Sequence, residues 1–117
     1  MNKISVSLLL LLLLLTACST SHVIKVNVIN SSPDKLSNII IDYPSATFGI
    51  PSLAAGKNFH YVIKVTENGA LKIEFADAQG KKKRFSGPAV RKDDDGTMEI
   101  RLTQDNAVVE AKLGSPL

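Results

Sequence analysis

From Val23 onward the chain alternates apolar and polar residues with a period of two. In Val23-Ile24-Lys25-Val26-Asn27-Val28, Ile24, Val26 and Val28 share one face while Lys25 and Asn27 share the other, the spacing of a half-buried strand. The same alternation predicts a second strand from Asn38 to Tyr43 and a third from Phe59 to Val65, with Phe59, Tyr61, Ile63 and Val65 facing inward. A fourth follows around Leu71, Ile73 and Phe75, and a weaker fifth over Lys82 to Ser86. Met98, Ile100 and Leu102 make a sixth, and Val109, Ala111 and Leu113 a seventh.

Turn-forming residues stand between these runs, as in Ser31-Ser32-Pro33-Asp34, Glu67-Asn68-Gly69, Asp77-Ala78-Gln79-Gly80, Asp93-Asp94-Asp95-Gly96 and Gln104-Asp105-Asn106. No segment after His22 sustains helical spacing. Short strands at intervals of roughly ten residues predict an all-β fold, an immunoglobulin-like antiparallel β-sandwich of about seven strands. A small closed β-barrel is the alternative. The cysteine and tryptophan markers of antibody domains are missing, so the expectation concerns architecture alone. The sandwich is expected over residues 23–113, with 114–117 as a tail.

The N-terminus departs from this pattern. Its apolar run from Ile4 to Leu15, broken only by Ser5 and Ser7, holds eight consecutive leucines. As a helix it would cover about 18 Å, well short of the roughly 20 residues and 30 Å that a bilayer core requires. Lys3 before it and small residues after it match a secretory leader. Leu15-Thr16-Ala17-Cys18 resembles the bacterial lipobox. That resemblance implies cleavage between Ala17 and Cys18, a diacylglyceryl thioether on Cys18, and acylation of the new amine with a palmitate-type chain. Residues 1–17 are then a cleaved signal peptide, and 18–22 a lipidated cysteine with a short tether. Cys18 is the only cysteine, so a disulfide within the chain is ruled out. Ser19 occupies the position where aspartate resembles an inner-membrane retention signal, which favours the outer membrane, facing the periplasm, in a two-membrane host.

Further along, Ile41-Asp42-Tyr43-Pro44-Ser45-Ala46-Thr47-Phe48-Gly49, Leu53-Ala54-Ala55-Gly56, Phe75-Ala76-Asp77-Ala78-Gln79-Gly80 and Ser86-Gly87-Pro88 together resemble a family of small β-sandwich bacterial lipoproteins and secreted proteins. The resemblance implies an all-β domain and carries no catalytic residue.

If consecutive strands alternate in direction, a seven-strand count puts the connections after strands two, four and six at the end where the first strand begins, near the lipid. Those segments are Pro44 to Asn58, Asp77 to Lys81 and Gln104 to Ala107. Long loops often carry function, so Phe48, Ile50 and Leu53 in the first of them are candidates for docking a partner, or for folding over the core as a lid. Lys81, Lys82, Lys83 and Arg84 begin at the same expected end and are candidate contacts to an anionic surface. The competing reading makes them edge-strand lysines that discourage aggregation.

The remaining chemistry narrows the function by exclusion. A net charge of +3 for 117 residues, falling to +2 once the leader and Lys3 are removed, gives no polycationic surface for nucleic acid. Asp93-Asp94-Asp95-Gly96 would place Arg91 and Leu102 at the first and last ligand positions of a calcium loop, where neither can coordinate. There is no phosphate loop, no zinc-binding pair and no metal or cofactor motif. His22 falls in the tether and His60 on the polar face of a strand, so no nucleophile and base are paired by the pattern. Asn30-Ser31-Ser32 matches a glycosylation sequon in form only. The expectation is a non-enzymatic binding or adaptor module of the cell envelope, contacting an envelope protein or glycan, or else a structural lipoprotein whose basic and apolar lower end rests on lipid.

Overall fold

The computed structural model describes residues 22–114, and every regular element among them is a strand. In chain order these are β1 (Ile24–Asn30), β2 (Leu36–Tyr43), β3 (Ala46–Leu53), β4 (Asn58–Ile63), β5 (Gly69–Ala76), β6 (Lys82–Val90), β7 (Asp95–Leu102) and β8 (Ala107–Gly114). They form two open four-stranded sheets, ordered β4-β1-β7-β8 and β3-β2-β5-β6. The architecture is the expected β-sandwich rather than a closed barrel. Its strand count is eight, and one pairing departs from an all-antiparallel arrangement: β1 runs parallel to β7.

The additional strand is β3. Thr47-Phe48-Gly49-Ile50 does alternate, with Phe48 and Ile50 buried and Thr47 and Gly49 exposed, but Gly49 and Pro51 are residues that sheets usually exclude from their centre. Both are tolerated because β3 is an edge strand, where proline's missing N–H need not serve a ladder. A tight Pro44-Ser45 turn joins it to β2, with Tyr43 opposite Ala46. Residues 46–53 are therefore a strand and not the long loop that the sequence pattern predicts.

Irregularities explain where the period of two slips. Asn38 has a φ of +50°, a conformation that asparagine tolerates better than most residues. The register of β2 against β5 shifts between Ser37 and Ile40. This bulge re-phases the strand, so that Leu36 and Ile39, three positions apart, both point into the core. In β6 the pair Gly87-Pro88 lies opposite Leu71 alone, extending the strand to a buried Val90 that the weak alternation had hidden. Gly96 has a φ of +144°, and a Cβ there would stand 2.0 Å from the Lys112 carbonyl oxygen; only glycine lets β8 close against the start of β7.

Between the sheets lies an apolar core in which Ile24, Val28, Ile39, Phe75, Ile100 and Leu102 are fully buried. It closes by different means at its two open sides. Phe48 of β3 and Tyr61 of β4 stack with ring centroids 4.2 Å apart at one side. Tyr61, expected inside, is 40% exposed because its strand borders that seam. On the other side Phe85 of β6 stacks on Phe75 at 5.7 Å.

Strand direction alternates without exception along the chain, which sorts the connections between two ends. At the N-terminal end the Gly96 amide donates to the Val23 carbonyl, the Thr66 amide to Ser45 Oγ, the Asp93 amide to the Val65 carbonyl and the Lys92 amide to Asn68 Oδ1. The turns at 44–45, 64–68 and 91–94 thus share that end. At the far end the Ser31 amide donates to the Leu102 carbonyl, Gln104 Nε2 to Asp34 Oδ2, and Lys83 Nζ to Asp105 Oδ1.

Asn30 holds the far end together. It is fully buried, its Nδ2 donates to the carbonyls of Leu53 and Asp34 at 2.8 Å each, and its Oδ1 accepts the Ser32 amide at 2.9 Å. Its own amide donates to Lys57 and its carbonyl accepts from Gly56. One side chain therefore ties the β1–β2 turn to the end of β3. This internal engagement is also why the sequon match has no bearing here. Replacing Asn30 by alanine takes the side-chain partner from the Leu53 carbonyl and the Ser32 amide, while the Asp34 carbonyl keeps Ser32 Oγ at 2.7 Å; each buried group left unsatisfied costs about 1–3 kcal/mol. Urea denaturation should show a loss of roughly 2–4 kcal/mol with an unchanged slope; a loss under about 0.5 kcal/mol would contradict this role.

Candidate functional site

Cys18 and Ala17, the lipidation and cleavage positions, lie outside the described residues. The other candidates can be placed. Phe48, Ile50 and Leu53 sit on β3 with exposures of 6%, 3% and 7%. They pack among core residues and present no surface to a partner, which corrects the partner-loop expectation. The physical reason is their pairing with β2, where Phe48 stands opposite Ile41, Ile50 opposite Ile39 and Leu53 opposite Leu36.

Lys81, Lys82, Lys83 and Arg84 move as well. With β3 counted, Lys82–Arg84 open the sixth strand, and they open it at the far end from β1's start. Their charges are also largely matched. Arg84 Nε donates to Glu74 Oε1 at 2.8 Å, Lys82 Nζ lies 3.6 Å from the same oxygen, and Lys83 Nζ stands 3.0 Å from Asp105 and 4.0 Å from Asp77. The hydrogen bond from Arg84, aided by the charges of Lys82 and Arg84, holds the Glu74 carboxyl below its ordinary range despite an opposing desolvation. Lys82, Lys83 and Arg84 are thus engaged with carboxylates of their own domain, Lys82 and Arg84 sharing that of Glu74.

The acidic turn takes the opposite position. Asp93, Asp94 and Asp95 lie at the N-terminal end. Asp94 is buried and accepts the Arg91 amide at 2.8 Å, and Asp95 Oδ2 lies 3.4 Å from His22 Nδ1. These carboxylates close a turn. Among the described residues no three His, Cys, Asp or Glu side chains are grouped so as to hold a metal ion.

Of the shallow depressions on the outer faces, two bear on the candidate residues. One, about 720 Å³, crosses the β4-β1-β7-β8 sheet. There the register sets His60, Asn27, Glu99 and Glu110 in one polar row across four strands, with Asn27 Oδ1 buried and without a protein partner. Directly opposed like charges such as Glu99 and Glu110 cost stability, although Arg101 Nη2 donates to Glu99 at 3.1 Å. The second depression, about 550 Å³, lies on the other sheet around Ile40, Gly49, Pro51 and Ala76. Neither the histidine row nor the depressions could be singled out from the sequence, because they depend on cross-strand register, which for the Asn27–His60 and Asn27–Glu99 pairs joins segments more than 30 residues apart. Tyr43 beneath the β2–β3 turn stays protonated more firmly than a free phenol, since burial, seconded by Tyr61, pushes it up.

No known family pattern matches the chain, and no curated protein matches it. A solved structure described as the NMR structure of the protein from Eubacterium rectale is similar in fold, with a TM-score of 0.60 at 9% identity, covering 79% of this chain and 90% of that one. At that identity the likeness concerns the fold alone, and it extends over nearly the whole length of the other protein.

The Glu74 contacts generate a pH dependence. Its folded-state pKa lies below the ordinary value of 4.5, so its contribution to stability is present above that value and is lost as pH falls through the folded-state pKa. Comparing the protein with its Glu74→Gln variant by thermal melting, we expect the variant to melt lower at pH 7 and the gap to close toward pH 2. A gap that widens on acidification would contradict the assignment.

Proposed function

We propose that the chain is a bacterial lipoprotein: a non-enzymatic binding or adaptor module held by acyl chains on Cys18 in the cell envelope. The Ser19 position favours the outer membrane, facing the periplasm, where the host has two. The observation that carries this reading is the Leu15-Thr16-Ala17-Cys18 sequence placed six residues before the first strand. With each extended residue spanning at most about 3.6 Å, five tether residues allow at most about 18 Å between the lipid and the domain. Two chains of about 14 methylenes each, at about 0.8 kcal/mol per methylene, contribute more than 20 kcal/mol of anchoring. No helix among the described residues is long and apolar enough to cross a membrane, so an acyl anchor is consistent with what the domain supplies.

Between the two roles considered, the charge distribution favours the adaptor over a domain that packs its basic end against lipid. Three of the four cations of the basic run are ion-paired and the run opens at the far end, while the turn nearest the tether sets Arg91 and Lys92 against Asp93 and Asp94, with Asp95 opening β7. A partner is then met by a sheet face or edge, through the same physics that builds the sheets.

Mass spectrometry of the protein extracted from the native envelope tests the anchor. The expected species begins at Cys18 and carries acyl mass on it, and the Cys18→Ala variant no longer remains with the membrane fraction. An uncut chain with a bare thiol at position 18 in the unaltered protein would overturn the proposal.

A further inference from the structure

Four strands border the two open sheets: β3 and β6 in one, β4 and β8 in the other. An unprotected border strand is a template for pairing with another chain, and proteins blunt such borders with proline, bulges or charged side chains. Three of the four follow that rule. β3 carries Pro51 and Gly49, β6 carries Lys82, Lys83, Arg84 and Pro88, and β8 carries Glu110 and Lys112. β4 carries none of these devices. Its sequence is Asn58-Phe59-His60-Tyr61-Val62-Ile63, free of Asp, Glu, Lys, Arg, Pro and Gly, and rich in residues of high strand propensity.

Its exposure matches its composition. Tyr61 is 40% and Val62 56% exposed, two of the three large hydrophobic residues that stand out among the described residues. They lie on opposite faces of one strand, so a partner must approach the strand's edge to cover both. We propose that the free edge of β4 is a homodimer seam, at which a second copy of this chain pairs its own β4 antiparallel to the first and joins the two sheets into one of eight strands.

A second copy fits because the strand is chemically complementary to itself. Antiparallel pairing sets residues of the same face opposite one another. With the two-fold axis at Tyr61, that tyrosine meets its counterpart, Phe59 meets Ile63 and His60 meets Val62, so no like charges are brought together. A two-fold contact closes on itself and gives a dimer rather than a fibre. The arrangement is also compatible with two acyl anchors. Since Ile24 stands beside Ile63, and Ile63 stands beside the other copy's Phe59, the two β1 starts are offset by four residues, about 14 Å along the strands. Both tethers, about 18 Å each at full extension, reach one lipid surface when the strands lie along it.

Native mass spectrometry of the full chain in detergent reads the stoichiometry directly, with Val62→Lys placing a charge on the seam and Val108→Lys placing one on the opposite border. Both positions are exposed, so each variant should still unfold in one cooperative transition, with Val62→Lys losing only the stabilisation that association adds. The expected result is a dimer for the unaltered protein and for Val108→Lys, and a monomer for Val62→Lys. The Cys18→Ala chain should remain dimeric, which separates this seam from any association through lipid. A monomeric unaltered protein, a dimer that survives Val62→Lys, or one that Val108→Lys dissolves would each overturn the proposal.

Discussion

The pairing of β3 with β2 is the constraint on which the rest of the molecule depends. It buries Phe48, Ile50 and Leu53, and because strand direction alternates along the chain it sets the direction of every strand that follows. Without β3, the strand from Asn58 would run alongside β1 in the same sense. With it, β4 pairs antiparallel to β1 through Ile24 opposite Ile63, and β7, an odd-numbered strand like β1, lies parallel to it. The location of the acidic and basic turns at opposite ends is a consequence of that one hairpin.

Two local features make the pairing tenable. The Pro44-Ser45 turn is braced from the neighbouring connection, where the Thr66 amide donates to Ser45 Oγ at 2.9 Å, and Gly69 leaves room for the Pro44 ring, which a Cβ would meet at 2.8 Å. At the other end of β3 the Leu53 carbonyl is taken by buried Asn30. The strand is thereby held at both ends while its outer edge carries a proline that discourages further pairing. Apolar burial supplies the driving force along its length, and the polar contacts at its ends choose the register.

The sandwich was legible from sequence because seven of the eight strands show alternation in β-branched and aromatic residues, and because turn residues bound them. β3 was obscured by composition: Gly49 and Pro51 read as loop residues, and Leu53 falls out of phase with Phe48 and Ile50. A proline inside an otherwise alternating run is itself an edge-strand signal, and that clue was available. This one strand affects more than itself, since with β3 present every connection after it changes ends and Lys81–Arg84 lie on the far side rather than the tether's side. Asn30 and the His60-Asn27-Glu99-Glu110 row were out of reach for another reason, as both depend on pairings between distant segments. The lipobox resemblance is local and needs no fold, so the proposed anchor rests on residues that the sandwich neither helps nor hinders.

The end-to-end assignment of the connections can be measured without reference to a membrane. A nitroxide attached at position 22, in a His22→Cys, Cys18→Ser chain that also carries Val62→Lys to keep it monomeric, would broaden NMR signals of residues near the start of β1. The account predicts strong broadening at Thr66, Lys92 and Asp95, with Lys57, Gln79 and Asp105 left sharp. Strong broadening at Gln79 and Asp105, with Lys92 sharp, would contradict it.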